Sequence, residues 1–558
     1  MTQIHWLDPV SGNFDTAADW SGGLVPGATD DAILDAAGSS FTVTAPTGET
    51  VNSIRTAANA ILAITGGTFA AATGAGSGAN AGTIEVEGGA KFQVGGTLLN
   101  TGAITLVGSM IHGHKANLIV QGSVTLDGGG TVSLTENKSL AVIEGKRKNA
   151  VLINIDNTIS GSGQIGNGVN SSKLSLINEA GGVINANDPS HLLHVLNDRP
   201  SINAGLMEAT SGATLLIERT TINNTGGTIE AVGRGTVGIA DATIEGGGIF
   251  AGTNSVVALD NSANISGAAL SIATAGKIEI FGRAVITADG GIFNSGTILL
   301  QDNSTAGLVL DNSVSLTGGG TVTLVGGGID GTTTAAVLNN LDNTIGGYGR
   351  LGGGVLTLVN QAGGVIDANV NTLDLTIDTG TRTIANAGLI EATARGLGVV
   401  ASPIRNTGIL EATGGGTLTV NGAVTGGTGK AMAAGGTLDF TASFNQNVIF
   451  SGAGSVLELA QSQSYGGKLR GFSRSGRSTL DLADIGFVDA GEATYSGTTT
   501  SGILTVTDGT HTAHIALRGN YLNAIFTAST DGHGGTDIVA SKAAASVHRF
   551  VAAAAGRG

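Results

Sequence analysis

Segments of this chain repeat at two scales, and that repetition limits its fold more than any other feature. SVTLDGGGTVSL, beginning at Ser123, returns as SVSLTGGGTVTL at Ser313. NIDNTISGSGQIG at Asn154 returns as NLDNTIGGYGRLG at Asn340, and LSLINEAGGVINAN at Leu174 as LTLVNQAGGVIDAN at Leu356. A shorter period lies inside each copy. Asn178, Asn203 and Asn224, and again Asn360, Asn386 and Asn406, each open a Gly-containing apolar segment. Their spacing of roughly 20 to 25 residues is that of one solenoid coil. Each unit reads as N-x-G, a strand such as TIEA, a Gly turn, and a second strand such as TLTV. One such coil cannot bury its own apolar face, so its stability must come from its neighbours.

Composition selects the kind of solenoid. Gly accounts for 94 of 558 residues, charged residues for 12% and aromatics for 4%. Long helices are excluded, because each internal Gly costs up to about 1 kcal/mol relative to Ala. Disorder is excluded by a hydrophobic fraction of 41%, drawn mainly from the Val, Ile, Leu and Ala of the repeats. What remains is many short β-branched strands between Gly, Asn and Asp turns. The expected fold is all-β: a right-handed parallel β-helix with an N-terminal cap and a C-terminal antiparallel β module. Stacked coils about 4.8 Å apart would make a rod on the order of 100 Å long. Asn at equivalent turns could form amide ladders along its axis. The expected divisions are a cap and first coils over 1–60, and a solenoid over 61–450 with its duplication at about 123–237 and 313–420. A C-terminal module over 451–541 and an Ala-rich tail over 542–558 follow.

Trp6 and Trp20 both fall in the expected cap, and packing that cap is the reading preferred over sugar binding, since Trp is usually well buried. STLDLADIGFVDAG and the strings around Asp508-Gly509 read as antiparallel hairpins with Asp-Gly turns. The chain has no Cys, which excludes disulfides and thiolate metal sites. A net charge of −16 argues against nucleic acid and anionic membranes as partners. No apolar run is long enough for a transmembrane helix, and the N-terminus has no conventional signal peptide.

The segment from Trp6 to Asp30, the NTG coils at Asn224 and Asn406, and the strings from Leu480 to Tyr521 resemble known bacterial exoproteins. The likeness is to autotransporter-passenger and filamentous-haemagglutinin-like repeats, with a C-terminal module similar to that of large type I-secreted proteobacterial proteins. The resemblance implies a secreted or cell-surface structural and adhesive protein without catalysis. Its implied partners are cell-surface glycans, a host or biofilm matrix, and an export machinery. After Ala540 too few residues remain for a membrane barrel, which needs at least about eight strands of about ten residues, so a self-contained autotransporter is not expected. Type I export with an uncleaved C-terminal signal would suit the absent N-terminal one, and the export route stays open. The alternative is a β-helix carbohydrate-active enzyme, a polysaccharide lyase or hydrolase, or a carbohydrate-binding surface protein. Such an enzyme needs clustered carboxylates with a neighbouring cation in one groove. A flat Thr array for ice or crystalline polysaccharide ranks last, because T-x-T recurs irregularly.

Candidate site residues are few. DGHGGTDIV, with Asp531 and Asp537, is close to one calcium nonapeptide, but His533 replaces a Gly and no tandem copy follows. One copy supplies too few of the six to eight oxygens calcium takes, so a plain hairpin loop competes with it. No other cofactor is expected. The insert NDPSHLLHVLNDRP interrupts the coil pattern and offers Asp188, His191, His194, Asp198 and Arg199 for ligand binding. A tolerated bulge is the competing reading, and the second copy lacks the His pair. His112/His114 and His511/His514 have no third zinc ligand at readable spacing. The Gly triplets lack the Lys-Ser or Lys-Thr of phosphate loops and read as turns. Glu208, Glu230, Glu391 and Glu411 recur at one coil position and are expected to form a solvated row.

Overall fold

The structure is a computed structural model that describes residues 2–71, 78–111, 113–147, 149–166, 174–197, 199–287, 291–301 and 307–543. It is a parallel β-solenoid of about 19 turns with antiparallel strands near its C-terminus. Helical structure among the described residues is confined to three 3-10 turns, Ala17–Asp19, Ser21–Gly23 and Ser462–Ser464. The chain divides into two compact units, Met1–Thr344 and Ile345–Gly558.

In the first unit a regular coil carries three short strands. Leu206–Ala209, Thr214–Glu218 and Thr221–Asn223 form one coil. Thr228–Ala231, Thr236–Ala240 and Thr243–Glu245 form the next. Equivalent strands pair in parallel and in register, so Ile229 lies between Met207 and Ile249, and Val237 between Leu215 and Val257. Ile229, Val237 and Ile244 are fully buried. Period-2 alternation puts these β-branched residues inside and their polar neighbours outside. Sequence reading anticipates two strands per coil. The third, such as Thr221–Asn223, is too short for alternation to reveal it.

Asn at the coil corner turns inward. Asn154, Asn178, Asn203 and Asn224 are buried, and each Nδ2 donates to the next Oδ1 at 2.9, 2.8 and 2.7 Å. Asn80, Asn100 and Asn157 form a similar chain, with both links 2.7 Å long. The Gly of N-x-G is explained by proximity. In Asn203-Ala204-Gly205, a Cβ on Gly205 would lie 2.3 Å from the backbone oxygens of Glu179 and Gly182 and 2.9 Å from Asn178 Nδ2 of the previous coil, so only Gly fits beside the ladder.

The N-terminal end closes on aromatic rings. Thr2–His5 pairs in parallel with Asp30–Leu34. Trp6 and Trp20 are buried and meet edge to face at 5.0 Å, and Trp20 meets Phe14 at 5.0 Å. Both indole N–H groups are satisfied: Trp20 donates to the Phe14 carbonyl at 2.7 Å and Trp6 to that of Val10 at 3.1 Å. The pair packs the cap, as anticipated.

The second unit repeats the scheme. Val365–Ala368, Leu389–Ala392, Ile409–Thr413 and Lys430–Ala434 stack in parallel on one face. Asn360, Asn386, Asn406 and Gln446 continue the amide pattern at 2.9, 2.7 and 2.8 Å. Parallel pairing runs past residue 451, with Ser455–Leu459 on Thr437–Phe440 and Ser478–Leu482 on Ser455–Leu459. STLDL is therefore a coil strand, not a hairpin arm. Its three-residue core L-D-L matches the coil strands LDF and LEL before it, a likeness that the nearby turn residues masked. The Asp508-Gly509 and Asp531-Gly532 turns do join antiparallel strands, Ser501–Thr507 with Thr512–Arg518 and Ala524–Thr530 with Thr536–Lys542. Thr536–Lys542 then lies antiparallel on Ser478–Leu482, and Thr512–Arg518 lies parallel on Lys468–Arg470. The hairpins thus cover the last coil.

Candidate functional site

The described insert residues do not assemble into one constellation. Asp188 closes a local turn, with Oδ1 accepting from the Ser190 amide at 2.9 Å and Oδ2 lying 3.2 Å from His191 Nδ1. Partial burial raises the Asp188 pKa, but the Ser190 amide, Ser162 and His191 outweigh it and hold the carboxyl below its ordinary value. His194 sits mid-strand in Leu192–Val195, with Nε2 2.9 Å from Glu218 Oε2 on the next coil. That contact has the length of an ion pair without hydrogen-bond alignment. Burial depresses the His194 pKa, with Glu218 opposing and Arg219 reinforcing the shift. Arg199 donates to Asn149 Oδ1 at 3.2 Å. It lines a different feature, a shallow groove of about 280 Å³ with Arg219, Thr220 and Asp241. Asp198 and His112 lie outside the described residues.

The Glu rows exist, but they are not solvated in the way expected. Glu208 is in register with Glu230, and Asp367, Glu391 and Glu411 occupy successive rungs. All five are half-buried, because flanking rungs cover each side chain from above and below. Burial, reinforced by Asp367 and Glu411, pushes Glu391 up to about 7.

A further row, missed in the sequence, lies near the C-terminus. Asp439, Glu458 and Asp481 follow one another on parallel strands, and Asp537 stands opposite Asp481 on the antiparallel one. Burial raises all four, and Asp537, Glu458, Asp531 and Asp439 add to it at Asp481, which reaches about 7. One oxygen each of Asp439 and Asp481 is buried without a hydrogen-bond partner. The signal was present as L-D-F, L-E-L and L-D-L in consecutive coils. The two calcium candidates sit here in different roles. Asp537 belongs to the row. Asp531 Oδ1 accepts from the amides of His533, Gly534 and Gly535 at 2.7, 2.9 and 2.9 Å and so closes the hairpin turn. Partial burial raises Asp531, but these amides and the charge of His533 outweigh it and lower its pKa. Among the described residues no three His, Asp or Glu side chains are arranged to hold a metal ion.

Sequence reading also missed a concentration of positive charge. Lys430, Lys468, Arg470 and Arg518 line a groove of about 410 Å³ with Thr428, Gly429, Asn447, Val448 and Ile449. The four cations come from three strands far apart in the chain, Lys430–Ala434, Lys468–Arg470 and Thr512–Arg518, and share no motif, so spacing could not reveal them.

No family model matches the sequence, and no curated protein matches it. Among solved structures, the chain is similar to a TibC-catalyzed hyper-glycosylated TibA55-350 fragment, at 15% identity and a TM-score of 0.22. The alignment covers 62% of this chain and 94% of that one. No described helix is long and apolar enough to cross a membrane.

Proposed function

We propose that this protein is a secreted or surface-displayed bacterial β-solenoid that acts structurally and adhesively, without catalysis. One observation carries the reading. The described coils fill their interior mainly with Val, Ile, Leu and Ala, with amide ladders along Asn80–Asn157, Asn154–Asn224 and Asn360–Gln446, and present outside a repeated, weakly charged face of small, hydroxyl and amide groups. Thr214 and Thr236 stack in this way, as do Thr221, Thr243 and Asn264. A lattice of this kind offers many equivalent contacts, which suits avidity to a polymer or matrix. Of the described insert residues, Asp188 and His191 are engaged with each other in a local turn, His194 faces Glu218 on the next coil and Arg199 bonds Asn149, so they form no shared carboxylate-and-cation cluster. The reading is tested by fractionating the producing cells with the intact chain and with residues 451–558 deleted. The intact chain should be recovered outside the cell or on its surface, and the deleted form inside. Retention of the intact chain in the cytosol would defeat the proposal, and export of the deleted form would defeat a C-terminal export signal.

A second reading, a carbohydrate-active enzyme, is favoured by the row Asp439–Glu458–Asp481–Asp537. Its rung spacing of about 4.8 Å is near the separation of about 5 Å used by retaining glycosidases, and a carboxyl at about 7 suits a general acid. The row itself contains no Arg or Lys, and this weighs against the reading.

A further inference from the structure

We propose that the cationic groove of the second unit binds a segment of an acidic polysaccharide, a sugar chain bearing carboxylates or sulfates. This deepens the adhesive reading and rests on it for the compartment in which such polymers are met.

The groove is built on consecutive rungs. Lys430 is in register with Asn447, and the Lys468 amide donates to Asn447 Oδ1 at 3.0 Å, which fixes the following rung. Arg470 is the register partner of Arg518. Two like charges directly opposite each other weaken a sheet, and the fold gains nothing in return. The chain has only 26 Lys and Arg against 42 Asp and Glu, yet four cations converge here and no carboxylate lines the groove. Among the described residues no salt bridge engages any of the four. Lys430 acts electrostatically on Glu411, where it opposes the upward push of burial. All four side chains are exposed, so they are available to a ligand.

The lining matches a charged sugar. Two guanidinium forks on neighbouring rungs suit bidentate contacts to carboxylate or sulfate oxygens. The two Lys supply point charges, and Thr428 and Asn447 supply hydroxyl and amide groups for sugar hydroxyls. Ile449 is half-buried, giving an apolar patch for the C–H face of a ring. The size favours a short segment over a protein partner, whose footprint is typically about 800 Å². Nucleic acid fits less well. No aromatic ring lines the groove to stack a base.

The test measures binding of the full-length protein to polygalacturonate (carboxylates only), dextran sulfate (sulfates only), neutral dextran and a short DNA duplex, each at low and moderate salt. The same titrations are run on Arg470→Gln/Arg518→Gln and on Lys430→Gln/Lys468→Gln. The wild type should bind at least one acidic polymer, more weakly as salt rises, and ignore neutral dextran. Each double variant should lose about tenfold or more in affinity, the loss of one or two charge-assisted contacts. Unchanged circular dichroism and melting in the variants confirm that the loss is local. The proposal is overturned if neither acidic polymer binds, if both double variants keep wild-type affinity, or if neutral dextran or DNA binds as well. Polymer binding by a chain that fractionates inside the cell would leave the groove standing and remove surface residence, so the two failures are distinguishable.

Discussion

Asn203 shows what one residue must do to hold a coil to its neighbours. Its Oδ1 accepts from Asn178 at 2.8 Å, and its Nδ2 donates to Asn224 Oδ1 at 2.7 Å and to the Thr228 carbonyl at 3.2 Å. The side chain is fully buried, and a buried amide left without partners costs about 1–3 kcal/mol per group. A carboxylate accepts but cannot donate, and a Ser hydroxyl offers one donor where Asn203 makes two donations, so neither Asp nor Ser replaces it. Asn203→Ala should therefore destabilise the chain by about 1–3 kcal/mol, because the buried Oδ1 of Asn224 loses its donor while Asn178 Nδ2 retains only the Gly182 and Leu206 carbonyls. Asn203→Asp should cost at least as much, because it buries a charge that cannot donate. Urea unfolding of both variants checks this, and midpoints equal to the wild type would show that the ladder carries no stability. The recurring N-x-G made this ladder legible in the sequence, since Asn and Gly return once per coil. The reason for the Gly was not legible, because it lies in how close the previous coil's Asn approaches.

At the scale of the element, a stacked row converts a one-residue choice into a collective charge. Asp439, Glu458, Asp481 and Asp537 all have raised pKa values, from burial first, with the charges of neighbouring row members adding at Glu458 and Asp481 and that of Asp531 adding at Asp537. An unfolded chain would titrate them near 4. Between about pH 4 and 7 the folded form therefore binds more protons than the unfolded form. The row's contribution is most favourable below the unfolded carboxylate range and is lost as pH rises toward 7. The melting temperature should climb as pH is lowered from 8 to 5. Asp481→Asn should flatten that slope and stabilise the protein at pH 8 by about 1 kcal/mol, after discounting for solvent screening of a half-exposed group. A melting temperature that rises with pH in both proteins would contradict the assignment. The sequence disclosed the recurrence of Glu208, Glu230, Glu391 and Glu411 but not their burial, which depends on how neighbouring rungs cover each side chain. The cationic groove was less legible still. Its residues come from four strands, and one of these, Thr512–Arg518, reaches the stack only through a hairpin that breaks the coil period.

A solenoid is a one-dimensional crystal with two ends, and an open end is an unpaired sheet edge that invites further strands. Sequence periodicity reports the interior of such a molecule well, because each coil solves the same packing problem. It reports the ends poorly, because each cap is solved once. At the C-terminal end of the second unit the solution is aromatic and antiparallel. Thr536–Lys542 covers the Ser478–Leu482 edge. Phe472 stacks on Phe526 at 6.5 Å and meets Phe450 at 5.2 Å, and the Tyr521 hydroxyl donates to the Phe472 carbonyl at 2.9 Å. Thr536 ties the last strand to the Ile485 carbonyl and to Glu492, at 2.9 and 3.0 Å. Removing residues 490–558 would uncover the backbone edge and the ring of Phe472 together. The truncated chain should keep its β-sheet circular dichroism, since the coils below retain their neighbours. It should also self-associate with rising concentration, as seen in light scattering, while the intact chain does not. A truncated chain that stays monodisperse at every concentration would show that the hairpins do not act as a cap, and that the edge at Ser478–Leu482 is protected by its own half-buried Asp481, a charge that a pairing strand would have to bury.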